Sequence, residues 1–159
     1  MATLHLICGL PCAGKTTFAR QLEREQHALR FTPDEWHIRL FGMDFAEDEP
    51  LHDARHNLIE TIQWELAIRA LTLGVNVILD FGFWTQSERE NFRAQAAQLK
   101  ASSELHYLAA PEHILLERLN NRNAQRPAYA FVIPEAKLRE WITLFQPPTA
   151  EELKRREAL

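Results

Sequence analysis

The sequence predicts an α/β domain, a three-layer arrangement with a short parallel sheet of four or five strands flanked by helices. Three observations carry this. Short apolar runs alternate with amphipathic helical stretches, the pattern of strands joined by helical crossovers. The first run leads into a glycine-bounded loop and a helix, Gly9-Leu10-Pro11-Cys12-Ala13-Gly14-Lys15-Thr16-Thr17. An acid follows the second run, Asp34, and another ends the third, Asp80.

Leu4 to Ile7 reads as the first strand, and Lys15 to about Gln26 as a helix burying Phe18, Ala19 and Leu22. Ala28 to Phe31 is a short second strand. The next helix has a strong start, with Thr32 placed to cap it, Pro33 at the first helical position and Glu35 where a capping box puts its acid. A long helix fills about Leu51 to Leu73, with Leu58, Ile62 and Leu66 on its core face, and Gly74 ends it. Val75 to Leu79 is the clearest buried strand. Thr85 and Glu88 form a second capping box, opening a helix to about Lys100. Leu105 to Leu108 is the fourth strand, and Pro111 starts a helix to about Asn121. An arginine-rich segment then breaks the pattern, making a lid at about 121–133. Pro134 begins another helix, which Pro147-Pro148 ends. The tail from Ala150 to Leu159 reads as a short charged helix, and no fifth strand is evident near the C-terminus.

The 159 residues fit one domain, with 46% hydrophobic and 25% charged residues as in an ordinary soluble globule. A formal charge of −4 weighs against a protein that lives on nucleic-acid backbone. No stretch approaches the roughly 20 apolar residues that cross a bilayer, so a cytoplasmic location is expected. Cys8 and Cys12 flank the loop turn, where a disulfide would distort it, and are read as free thiols.

The glycine-bounded segment fits G-x-x-x-x-G-K-[ST] at every position. Glycines let successive backbone N–H groups turn toward one anion, and the helix behind adds its positive end. Lys15 is positioned to reach the outer phosphates, and the Thr16 hydroxyl to join the shell of Mg²⁺. In open parallel sheets ligands bind beyond the carboxyl ends of the strands, where Asp34 and Asp80 stand. Asp34 is the candidate base for an attacking hydroxyl, and Asp80 the metal-binding acid after a hydrophobic strand. Phe83 and Trp84 are candidates for the acceptor wall. Asp80-Phe81-Gly82 also spells the protein-kinase metal tripeptide, but no H-R-D catalytic loop precedes it. Arg118, Arg122 and Arg126 recur every four residues and suit a lid that covers phosphate charge, with Arg122 the first choice as a catalytic residue. His52 and His56 have a zinc-compatible spacing without a third ligand in sequence, and are read as a polar helix face. Trp36 and Trp141 are read as packing.

The phosphate loop, Asp34 with Arg39 nearby, the strand ending at Asp80, and Glu117-Arg118-Leu119 running into Arg122 together resemble the small P-loop kinases. That group includes phage polynucleotide kinase, chloramphenicol phosphotransferase and the zeta toxins. The closing Phe145-Gln146-Pro147-Pro148 with Glu151-Glu152 is similar to the end of such domains. The resemblance implies the nucleotide kinase-like fold of P-loop nucleoside triphosphate hydrolases, an Asp34 base, lid arginines on the phosphates, and ATP with Mg²⁺. Two departures stand out. The group often has a fifth strand, and its arginine follows the acid by three or four residues, where this chain has His37 and Ile38.

The expected activity is transfer of the γ-phosphate of ATP to a hydroxyl of a small molecule. A nucleic-acid 5′-hydroxyl as acceptor is a second reading, which the acidic charge disfavours. A nucleotide-driven switch without an acceptor is a third. The absence of an N-K-x-D guanine-reading motif favours ATP over GTP.

Overall fold

Every residue of the first strand, β1 (Thr3–Cys8), is buried, as the centre of a parallel sheet requires. The computed structural model describes residues 1–45 and 47–158, and Leu159, the end of the expected tail helix, lies outside them. After β1 come α1 (Lys15–Gln26), β2 (Leu29–Phe31), α2 (Pro33–Phe41), α3 (Glu49–Thr72), β3 (Val77–Gly82), α4 (Gln86–Gln98), β4 (Ser102–Tyr107), α5 (Glu112–Gln125) and α6 (Glu135–Leu144). Among the described residues the sheet has four strands, ordered β2-β3-β1-β4 and all parallel. None of the described helices is long and apolar enough to cross a membrane.

Alternation along the strands divides the core. Leu4, Leu6, Cys8, Val77 and Leu79 pack with Ala67 and Leu71 of α3 and Ala96 of α4. Ile7 and Ile78, on the opposite face, meet Ala19 and Leu22 of α1, with Phe18 partly buried beside them. A third cluster joins α5 and α6 to the loop through Leu10, Leu115, Leu119, Phe131 and Leu138. At roughly 25 cal/mol per Å² of apolar surface, burial of this kind is the main stabilising contribution.

Several expectations need correction. The buried stripe of α3 runs through His52, Ile59, Gln63, Ala67 and Ala70, while Leu58 and Ile62 are exposed. Two polar residues occupy the inner face, so hydrophobicity alone mis-set its rotation. Thr32 makes no capping hydrogen bond to α2, because its hydroxyl is engaged elsewhere. Thr85 does cap α4, accepting from the Glu88 N–H at 3.2 Å. The helix after Pro111 does not break at Asn121 but runs on to Gln125.

The tail is no helix. It turns after Thr149, and Arg156 makes an antiparallel bridge with Ser103 on β4. Two buried arginines of α4 hold it. Arg89 donates to Glu152 Oε1 at 2.7 Å and to the Phe83 and Gln146 carbonyls, while Arg93 donates to the Glu152 and Lys154 carbonyls.

Candidate active site

The loop between β1 and α1 is built by its two glycines. A Cβ on Gly9 would sit 2.9 Å from the Leu108 carbonyl oxygen, closer than a side chain tolerates. Gly14 caps α1 with φ 95°, where other residues are strained. Leu10 and Ala13 face inward onto the third core cluster and anchor the loop. Pro11, Cys12, Gly14, Lys15, Thr16 and Thr17 instead line a cleft of about 800 Å³ at the carboxyl ends of the strands. Cys12 is free and so is Cys8, whose thiol donates to the Phe83 carbonyl. Lys15 reaches back to donate to the Leu10 carbonyl at 2.8 Å. Burial lowers the Lys15 pKa, against the pull of the Asp80 and Asp34 charges.

Asp80 lies within β3, two residues before the strand's end. Its Oδ2 accepts from Thr16 Oγ1 at 2.8 Å and from Thr32 Oγ1 at 3.1 Å. Arg30 donates to the same Thr32 oxygen, so the hydroxyl is held between Arg30 and Asp80 and does not accept from α2. Oδ1 is buried and has no protein partner. Burial raises the Asp80 pKa, although Lys15 and the two threonines work to lower it.

Asp34, in the first turn of α2, opens onto the same cleft with its side chain about half exposed (52%). Its Oδ1 faces Nδ1 of His56 on α3 at 3.8 Å, and His56 Nε2 meets Glu60 at 3.3 Å. His56 is one of a row. His52 and His37 each place a ring nitrogen 2.7 Å from Asp44 Oδ1, and Arg55 donates to Oδ2. Burial alone would raise the Asp44 pKa, but Arg55, His52 and His37 hold it below the usual carboxylate range. Asp44 thus fixes the second wall of the cleft, and the reading of His52 and His56 as a plain polar face is corrected. A ring chain continues that wall: His52 to Phe45 at 5.1 Å, Phe45 to Trp141 at 5.9 Å, and Trp141 to Trp84 at 5.5 Å.

Phe83 does not line the cleft. Gly82 and Phe83 adopt left-handed backbone (φ 94° and 47°), which turns the Phe83 ring under the sheet against Phe81 and Phe92. Trp84, the other wall candidate, does line the cleft, and Phe81 lines it as well. Arg118, which donates to the Cys12 carbonyl at 3.2 Å, and Arg122, which donates to the Phe131 carbonyl at 3.4 Å, both line it. Arg126 ends α5 in left-handed backbone and is exposed, outside the cleft lining. Arg39 lies apart, in a small depression with Arg30, Glu35 and Trp36.

Sequence reasoning missed Thr32, Asp53, His56, Trp141 and Asn123. Asn123 grips Ile133 twice, donating to its carbonyl at 2.7 Å and accepting from its N–H at 3.3 Å. That bond pair closes the base of the loop from Arg126 to Pro134. Only the position of Thr32 directly after a strand signalled its place in the site; the others are brought in by helices distant in sequence.

No curated protein matches the sequence. Solved structures do match the fold. A chain of the Pnkp1/Rnl/Hen1 RNA repair complex superposes with a TM-score of 0.75 at 21% identity, covering 99% of this chain and 49% of that one, so this chain spans about half its length. Kti12 of Chaetomium thermophilum, solved with ADP-AlF3, gives 0.67 at 20% identity over 93% of this chain and 82% of that one. A gluconokinase from Sinorhizobium meliloti gives 0.62 at 17% identity over 96% and 79%. The four-stranded parallel sheet and phosphate-type loop are those of a small P-loop kinase-like fold. The sequence matches the AAA domain family across residues 4–148, and the chain belongs to that family.

Proposed function

We propose that the protein is a phosphotransferase that moves the γ-phosphate of Mg–ATP to a hydroxyl of a small molecule. The observation that carries this reading is the convergence of Lys15, Thr16, Asp80 and the half-exposed Asp34 on one cleft. The two carboxylates sit in different surroundings, and such a division suits two roles.

Asp80 Oδ1 is a buried acceptor without a partner, and Thr16 donates its proton to Oδ2, leaving its own lone pairs free. This oxygen donor set fits Mg²⁺. When bound, the ion would neutralise phosphate charge and orient the transferring group. Lys15 would exchange the Leu10 carbonyl for phosphate oxygens, and Arg118 and Arg122 would meet the charge from the α5 side. Asp34 would accept the proton of the acceptor hydroxyl as that oxygen bonds to the γ-phosphorus. The bond from phosphorus to the bridging oxygen breaks in the same transfer, and ADP leaves.

Among the described residues, the wall from Asp34 through His56, His52, Phe45 and Trp141 to Trp84 lines the cleft with aromatic rings and has Asp53 nearby, while Lys15, Arg20, Arg118 and Arg122 line it elsewhere. Aromatic faces beside carboxylates favour a neutral or cationic alcohol over a polyanion. The likeness to a chain of an RNA repair complex supports a second reading, in which the acceptor is a nucleic-acid 5′-hydroxyl. The net charge of −4 weighs against it. A nucleotide switch without an acceptor would not need Asp34.

Transfer from γ-labelled ATP to a panel of small alcohols and to a 5′-hydroxyl oligonucleotide tests these readings, in the wild type and in Asp34→Ala. Label on a small alcohol, lost in the variant, is the expected result. Label on the oligonucleotide moves the protein to the second reading. No transfer to any acceptor, with ATP binding intact, leaves the switch.

A further inference from the structure

A second cluster of chemically active side chains lies away from the cleft, and the strand register creates it. His5 of β1 is paired with Glu104 of β4, and His106 follows Glu104 by two residues. Side chains two apart on a strand share a face. Pairing therefore stacks His5, Glu104 and His106 on one face of the sheet, where Phe18 of α1 packs against the His106 ring.

The distances are specific. His5 Nδ1 and His106 Nε2 are 3.0 Å apart, and each lies 3.6 Å from Glu104 Oε2. A point about 2.0 Å from all three atoms lies within that triangle, and zinc bonds to imidazole nitrogen and carboxylate oxygen run about 2.0–2.2 Å. We propose that His5, Glu104 and His106 form a binding site for Zn²⁺ or a similar divalent transition ion, distinct from the nucleotide cleft.

Three further features support it. Glu104 turns Oε1 to the Arg155 guanidinium, so a charged partner orients the carboxylate while Oε2 stays turned to the two imidazoles. Both rings need only carry their protons on the far nitrogens, His5 on Nε2 and His106 on Nδ1. No proton need be lost. That shift gives up the hydrogen bond between the two rings in exchange for two lone pairs aimed at the ion, while His5 Nε2 is buried without a partner whether or not it carries the proton. The Glu104 and His106 side chains remain 25% and 20% exposed, which gives an entry path and lets solvent supply a fourth ligand. Imidazole nitrogens select such ions over Mg²⁺.

The other histidine group is unlike this one. His37 and His52 stack at 4.2 Å with an interplanar angle of 26°, and each turns a nitrogen to Asp44. Both of those nitrogens are already turned to one carboxylate oxygen, and Arg55 holds the other oxygen of the same group. That group is a carboxylate clamp. In the His5 site a bound ion would tie the central strand to β4, and through Arg155 to the tail.

The test is a Zn²⁺ titration of the full chain, freed of metal by chelation, against a chromophoric chelator in excess Mg²⁺. One tight equivalent is expected. His106→Ala should weaken it by at least about tenfold, as should Glu104→Gln. His106→Phe, which keeps an aromatic ring against Phe18, should lose it with the fold intact by circular dichroism. His56→Ala should leave it unchanged. Co²⁺ should give the visible absorption of a four- or five-coordinate ion in the wild type and not in His106→Phe. Failure of the wild type to take up Zn²⁺, binding that survives in His106→Phe, or binding that His56→Ala abolishes would each overturn the assignment.

Discussion

His56 and Asp34 face one another from different helices, Nδ1 to Oδ1 at 3.8 Å, so an imidazole stands beside the candidate base. Burial works to lower the His56 pKa. The Glu60 hydrogen bond and the charges of Asp34, Glu60 and Asp53 outweigh it and hold the pKa above 6.5. A group raised on folding adds stability below its unfolded pKa and loses it as pH rises through the folded value. His56→Gln should therefore lower Tm relative to wild type below about pH 6.5, and the gap should close at alkaline pH. A gap that does not change with pH would refute the coupling.

If Asp34 takes the acceptor proton, its removal should reduce turnover far more than nucleotide binding. Asp34→Ala is expected to lower kcat by about 10²–10⁴-fold, with ATP affinity held within a few-fold. Titration calorimetry alongside the transfer assay separates the two. Equal loss in both would make Asp34 a structural residue.

Gly9→Ala should fail at the Leu108 carbonyl, which lies 2.9 Å from the added carbon. Relief requires the loop backbone to move, at about 1–3 kcal/mol. Denaturant melts should show this loss, and ATP affinity should fall with it if the loop N–H groups hold the phosphates as proposed.

Arg89 and Glu152 form an ion pair buried on both sides. Breaking it from one side leaves an unpaired charge. Arg89→Met or Glu152→Gln should each cost about 3–5 kcal/mol, with the double variant recovering part of the loss. Additive losses in a double-mutant cycle would show that the pair is not coupled.

These residues also show what the sequence made legible. The phosphate loop was readable because its chemistry is local: two glycines, a lysine and a threonine at fixed spacing. The placement of Asp34 and Asp80 on one cleft was readable because the strands were recognisable and both acids stand near strand carboxyl ends. Phe83 was misplaced because two successive left-handed residues reverse its direction, and that turn leaves little trace in composition. His52 and Gln63 occupy the inner face of α3, so a hydrophobic count exposed the wrong side. Arg89 and Arg93 defeated the reading of the tail for the same reason, since arginine counts as surface until its partners are seen. The Asp44 clamp depends on three helical side chains meeting one loop acid, which no single stretch encodes.

The bridge between Ser103 and Arg156 has a consequence for how the protein behaves in a crowded solution. β4 ends the sheet, and an unshielded outer strand invites another chain to add to it. By occupying Ser103 on both its N–H and its carbonyl, at 2.8 and 2.9 Å, Arg156 closes that part of the edge to such addition. The neighbouring Arg155 adds charge at the same border, so the tail shields part of the exposed edge as well as completing the fold.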